Sequence, residues 1–143
     1  EMGECLCLNN GEFEVLHGYD EILISGLVFG AVAGVGSTYN YIPNIYHGII
    51  AAIEVGDMWT AKQLQMKSIE VVNIIIKYGG GVRGGKAIMK LIGCDCGNCR
   101  PPISSFTNEE YASLKNDLLR IGVLNNMVKA SVLCWETCQY HIS

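Results

Sequence analysis

The chain has 143 residues, half of them apolar and 17% charged, a composition that suits one folded domain and excludes a disordered or low-complexity chain. Its 14 acidic and 10 basic side chains leave a formal charge of −4 with no clustering, which argues against a polyphosphate partner held by electrostatics. The longest charge-free apolar run, Ile22 to Gly36, has 15 residues and four glycines, short of the roughly 18 that a membrane-spanning helix needs.

In chain order, Phe13-Glu14-Val15-Leu16-His17 alternates, includes aromatic and β-branched members and stops at Gly18, which predicts a strand. Asp20 to Gly30 fits a helix. Asp20 and Glu21 suit its positive N-terminal end, and Ile22, Leu23, Leu27 and Val28 supply its apolar positions. Val32 to Thr38 is short, apolar and closes on small polar residues, a second strand. Strand, helix, strand in this order is a βαβ unit, with parallel strands and a right-handed crossover.

After Asn40 the chain reads as helix. Pro43 opens one that carries Ile49, Ile50, Ala51 and Ile53 and stops at Gly56. Asp57 caps a second through Lys77, with Trp59, Leu64, Met66, Val71, Ile74 and Ile75 expected on the buried side. Gly79-Gly80-Gly81 ends it, and a third helix is expected from about Arg83 to Ile92. Past Pro101 and Pro102, Thr107-Asn108-Glu109-Glu110 has capping-box spacing and predicts a helix to Leu119 or beyond. Two parallel strands cannot close a sheet, and these helices cover one face at most. The expectation is a piece of a larger α/β structure, in keeping with a chain that opens Glu1-Met2-Gly3-Glu4.

The pairing of His17-Gly18-Tyr19-Asp20-Glu21 with Gly34-Val35-Gly36-Ser37-Thr38-Tyr39-Asn40 resembles the N-acetylneuraminate lyases, of the superfamily of class I aldolases that includes dihydrodipicolinate synthase. The resemblance runs from about Glu1 to about Leu124, through Lys86-Ala87-Ile88-Met89 and the Asp95-Cys96-Gly97 to Pro102 stretch. Gly-x-Asp-Glu with Gly-Ser-Thr-Tyr-Asn points to the sialic-acid branch. It implies the α/β class: the C-terminal part of a (β/α)8 TIM barrel, with its last two strands, plus a C-terminal helical extension. On this reading 1–56 is the end of the barrel, 57–124 the extension and 125–143 a tail of unknown role.

The activity implied is reversible Schiff-base cleavage of N-acetylneuraminate to N-acetylmannosamine and pyruvate, with no metal or organic cofactor. The family's lysine, tyrosine and carboxylate-binding loop come from earlier strands, so no catalytic residue is expected here. The resemblance assigns substrate hydroxyls to Asp20, Glu21 and Ser37 and to the backbones of Gly18 and Gly36. Carboxylates and a hydroxyl suit a polyol, and strand ends are where barrel active sites lie. It further implies a cytoplasmic homotetramer acting on small molecules, without nucleic-acid or membrane partners. Alternatives are a non-catalytic remnant acting in binding or assembly and another pyruvate-dependent aldolase such as dihydrodipicolinate synthase.

Other signals carry less. Asp20-Glu21 alone fits a plain helix cap. Gly80 to Lys86 has the spacing of a phosphate-binding loop, but Ala87 stands where a magnesium-holding hydroxyl belongs. Gly26, Gly30 and Gly34 are expected to let the helix lie close on the sheet. Seven cysteines beside a good apolar composition favour reduced thiols. Cys94, Cys96, Cys99, Cys134, Cys138 and His141 offer donors for zinc, but the pairs are separated by a whole helix, and metal binding is not expected. His17 receives a packing role, and Arg83 stays open between a solvated helix start and a ligand or subunit contact.

Overall fold

The structure is a computed structural model that describes residues 2–125 and 127. Its small sheet pairs β1 (Leu16–His17) with β2 (Ala33–Gly34) in parallel, Leu16 opposite Ala33 and His17 opposite Gly34. The bonds Val32 N to Val15 O (3.0 Å) and Val35 N to His17 O (2.9 Å) extend the ladder slightly. Both strands are shorter than their sequence patterns. With one neighbour each, the flanking residues have no second strand to pair with, and the extended segments thin into loops.

Before β1 stands α1 (Met2–Cys7), which buries no residue. Between the strands, the expected helix from Asp20 divides into a 3-10 turn, Asp20–Ile22, and α2 (Leu23–Phe29). Gly30 ends α2 at φ 115°, a left-handed conformation that glycine adopts without strain. The N-terminus of α2 has no side-chain cap, so the capping role for Asp20 and Glu21 does not hold. The Asp20 carboxylate is engaged elsewhere.

α2 lies on one face of the sheet. A Cβ on Gly26 would sit 2.2 Å from the His17 ring, and one on Gly34 would sit 2.8 Å from Leu23 Cδ1. The close approach expected for these two glycines is therefore present, with His17 as a packing residue. Leu16 and Val35, by contrast, are each more than half exposed, so the helices leave the other face open.

The helical part comprises α3 (Pro43–Glu54), α4 (Met58–Lys77), α5 (Gly80–Leu91) and α6 (Asn108–Arg120). Asp57 caps α4 by accepting from Thr60 N at 3.0 Å. Thr107 and Glu110 make both bonds of the capping box, at 2.9 and 3.3 Å. α4 is the central element and packs against α2, α3, α5 and α6. Its buried stripe runs through Ala61, Gln65, Ser68, Val72 and Ile75 at helical spacing. Trp59 and Met66, expected inside, are 72% and 52% exposed. Both lie on the side of the helix opposite the stripe, which admits two polar residues instead.

The core joins Leu23 of α2 and Tyr41 to Ile42, Tyr46 and Ile49, Val71 and Ile75, Ile88, Leu114 and Leu118. Burying each large aliphatic side chain stabilises by roughly 1.5–3 kcal/mol, so the barrel-end segment and the later helices share one core. α5 starts at Gly80, three residues ahead of the expected Arg83, because Gly79 at φ 93° and Gly80 at φ 87° turn the chain within two residues.

Arg83 is a structural clamp. Its guanidinium donates to the carbonyls of Tyr78 (3.0 Å), Ser104 (2.9 Å) and Ser105 (3.2 Å) and to Glu110 Oε2 (2.7 Å), and it stacks 4.2 Å from the centre of the Phe106 ring. It therefore ties the proline loop and α6 to the start of α5, which is neither of the roles left open from sequence.

Candidate functional site

Parallel strands bring their C-terminal ends side by side, and the residues after β1 and β2 therefore meet. Gly18, Asp20, Glu21, Gly36 and Ser37 all line one cavity of about 290 Å³, closed from below by Val72, Ile75 and Ile76 of α4 and by Gly81. All five residues singled out from sequence are brought together.

Their environments differ. Asp20 is buried, at 7% exposure. Its Oδ2 accepts the Thr38 N–H at 3.0 Å and the Thr38 hydroxyl. The same hydroxyl lies 2.5 Å from the Tyr46 hydroxyl. Asp20 thus ties the loop after β1 to the loop after β2. Gly36 is required for this arrangement: an added Cβ would fall 1.6 Å from Asp20 Oδ1. Glu21 is half-buried, and among the described residues its carboxylate accepts no hydrogen bond. Ser37 is exposed. Glu21 and Ser37 are accordingly the groups with hydrogen-bonding capacity left for a ligand, whereas Asp20 is partly engaged.

Gln65 of α4 fixes the loop from below. Its Nε2 donates to the Asp20 carbonyl at 3.0 Å, and its Oε1 accepts Ile24 N at 3.1 Å. Ser68 Oγ, 2.6 Å from the same Nε2, completes the buried set. Sequence reasoning missed Thr38, Tyr46 and Gln65. For Gln65 a signal existed: Gln65 and Ser68 are polar residues three apart on the apolar stripe of a long helix.

Three tyrosines surround the strand ends. Burial, reinforced by the Asp20 charge, pushes Tyr39 up to about 12. Burial does the same to Tyr46, with partial relief from the Thr38 hydroxyl. Tyr41 is raised further by burial, despite the nearby Ser37 hydroxyl. All three phenols are neutral donors at physiological pH. Tyr39 and Tyr46 stack with ring centres 4.1 Å apart.

A larger cavity of about 590 Å³ adjoins the first and shares Ser37 and Gly81 with it; Tyr41, Lys86, Met89 and Cys96 form its far wall. Lys86 is the one lysine lining either cavity among the described residues, and its Nζ donates to the carbonyls of Cys96 and Asn98, both at 3.0 Å. The other described lysines lie on α4 (Lys62, Lys67, Lys77), α5 (Lys90) and α6 (Lys115). None stands at a strand end. Among the described residues, no three His, Cys, Asp or Glu side chains gather closely enough to hold a metal ion. Cys134, Cys138 and His141 lie outside the described residues, as does the tail assigned to 125–143 apart from Asn125 and Met127. No helix among the described residues is long and apolar enough to cross a membrane.

Comparison with known proteins places this geometry in context. Residues 1–121 match the family model described as the dihydrodipicolinate synthetase family. The chain is 36% identical over 127 residues to the N-acetylneuraminate lyase of Rattus norvegicus, an alignment that takes in 87% of this chain and 40% of the rat protein. Among solved structures, the Proteus mirabilis N-acetylneuraminate lyase superposes with a TM-score of 0.78 at 33% identity, over 83% of this chain and 40% of that one. A dihydrodipicolinate synthase from Bacteroides thetaiotaomicron superposes with a TM-score of 0.70 at 26% identity, over 78% and 39%. The chain thus spans about 40% of the length of the relatives it matches.

Proposed function

Because the chain belongs to the dihydrodipicolinate synthetase family, with the fold of the C-terminal part of a (β/α)8 barrel and its helical extension, we propose that it forms the polyol-binding side of an N-acetylneuraminate lyase. The observation that carries the reading is the single cavity lined by Gly18, Asp20, Glu21, Gly36 and Ser37 at two adjacent strand ends. A polyol presents several O–H donors on one chain. The Glu21 carboxylate accepts from neighbouring hydroxyls, Ser37 both donates and accepts, and Asp20 Oδ1 takes a further hydroxyl while Oδ2 stays with Thr38. The Gly18 and Gly36 backbones let the ligand approach where a side chain would stand.

In the complete reaction a lysine amine condenses with the keto carbon, and the imine draws electrons from the carbon–carbon bond as it breaks, giving pyruvate and N-acetylmannosamine. No described lysine stands at a strand end, and a Schiff-base amine needs a desolvated pocket to be neutral. This chain therefore holds and orients the sugar, and the nucleophile belongs to another part of the barrel. In this reading 1–56 closes the barrel, 57–124 buttresses it through Gln65 and Gly81, and the whole enzyme is a cytoplasmic homotetramer. A second reading, another pyruvate-dependent aldolase, is favoured by the similarity to the Bacteroides dihydrodipicolinate synthase.

Calorimetric titration of the 143-residue chain separates the two. N-acetylneuraminate should bind, and an analogue lacking its three-carbon glycerol tail should bind at least tenfold more weakly. A hydrogen bond to a charged group contributes about 1.5–3 kcal/mol, so Glu21→Ala should cost roughly ten- to hundredfold in affinity for the intact acid. Equal affinity for both ligands, or an unaffected Glu21→Ala variant, would reject the polyol reading and leave the second.

A further inference from the structure

The segment Cys94 to Cys99 takes no part in the polyol site, yet α5 holds it in a defined shape. Lys86 Nζ donates to the Cys96 and Asn98 carbonyls, Lys90 Nζ pairs with Asp95 at 3.2 Å, and Asp95 Oδ1 accepts Gly97 N at 2.9 Å. Cys94 and Cys96 are exposed free thiols two residues apart, and Cys96 Sγ lies 3.6 Å from the Cys94 carbonyl. Two lysine ammonium groups one helical turn apart, Lys86 and Lys90, anchor this segment.

We propose that Cys94 and Cys96 form a thiol–disulfide exchange site that takes low-molecular-weight disulfides of the glutathione type and closes to an internal Cys94–Cys96 disulfide. Cys94 gives up its proton, and its thiolate attacks one sulfur of the incoming disulfide. That S–S bond breaks, and one small thiolate leaves and takes up a proton. Cys96 then loses its proton and attacks the Cys94 sulfur of the mixed disulfide, expelling the second small thiol. Two protein thiols are oxidised and one disulfide is reduced to two thiols, so electrons and protons balance. Burial and the neighbouring Cys94 thiol push Cys96 up, which leaves the first attack to Cys94. Because Cys96 lines the larger cavity, which shares Ser37 with the smaller one, closure alters a wall beside the polyol site.

Cys5 and Cys7 provide an internal comparison. They too are exposed and two apart, but both lie on α1, where side chains at i and i+2 point about 200° away from one another and do not face.

The test is incubation of the full chain with glutathione disulfide, followed by alkylation, digestion and mass mapping. Expected is a 94–99 peptide in which Cys94 and Cys96 are joined and refuse alkylation, while Cys5 and Cys7 remain alkylated or carry glutathione singly. In Cys96→Ser the reaction should stop at a mixed disulfide on Cys94. In Cys94→Ser, modification of Cys96 should slow at least tenfold. Both sites are exposed, and unchanged circular dichroism shows that each variant folds. The proposal is overturned if wild type also stops at the mixed disulfide, if Cys94 pairs with Cys99, or if both thiols stay free.

Discussion

Removing the Asp20 carboxylate should destabilise the chain through Thr38 before it affects any ligand. Asp20 Oδ2 accepts from the backbone and the hydroxyl of Thr38, both buried. Bonds to an ionised acceptor stabilise by about 1.5–3 kcal/mol each. They share one oxygen and one residue, so their effects overlap, and Asp20→Ala should cost about 3 kcal/mol. Asp20→Asn retains a carbonyl acceptor without the charge and should cost about half of that. Against a typical total of roughly 5–15 kcal/mol these are large losses. With a urea m-value of about 2 kcal/mol/M, the midpoint should fall by about 1.5 M in Asp20→Ala, followed by circular dichroism. Thr38→Val and the double variant complete the cycle, with an expected coupling of at least about 1.5 kcal/mol. Glu21→Ala, which removes no hydrogen bond, should stay within about 0.5 kcal/mol of wild type. A coupling under about 0.5 kcal/mol, or equal losses for Asp20→Ala and Glu21→Ala, would refute the argument.

Gly26→Ala should cost about 1–3 kcal/mol by overpacking, since its methyl meets the His17 ring; His17→Ala in the same chain should restore much of the loss in urea unfolding, and no restoration would count against the contact. Arg83→Lys should destabilise nearly as much as Arg83→Ala, because a lysine cannot span three carbonyls and a carboxylate; a Lys variant with wild-type melting behaviour would contradict the clamp. In acid, the carboxyls of Glu110, held down by the Thr107 N–H and then Arg83, and of Asp117, held down by Lys77 and then Tyr78, favour the folded state above the ordinary carboxylate range. Stability should fall as pH drops through that range toward their depressed values, and Asp117→Asn should flatten the decline. In alkali, Tyr39 and Tyr46 ionise near 12 when folded and near 10 when unfolded. Stability should therefore fall as pH rises above 10, and absorbance titration should show these phenols neutral where the unfolded chain has already ionised.

Features set by neighbouring residues were legible in the sequence. Asp57 and Thr107 cap their helices through bonds three residues long. The two Gly-led motifs ended their strands where parallel pairing brings them together, because the βαβ order fixes strand direction. What distant residues decide was not legible. Asp20 suits a helix cap locally, but Thr38, 18 residues away, holds its carboxylate. Gln65 reaches the Asp20 carbonyl across 45 residues, and nothing within α4 reveals that partner. Trp59 and Met66 fit the apolar pattern of α4 in the sequence yet face outward, whereas the buried stripe tolerates Gln65 and Ser68 because each is hydrogen-bonded. The strands are shorter than their sequence patterns because an edge without a neighbour gains no ladder bonds.

The claim that most needs a direct check is that the strand ends of this chain hold a sugar tail. Nuclear magnetic resonance titration of the labelled 143-residue chain with N-acetylneuraminate reads the site residue by residue. The account predicts saturable shifts at the amides of Gly18, Glu21, Gly36 and Ser37, with small changes at α6, and their loss in a folded Glu21→Ala/Ser37→Ala double variant. A folded chain whose shifts cluster elsewhere, or persist undiminished in that variant, would contradict it.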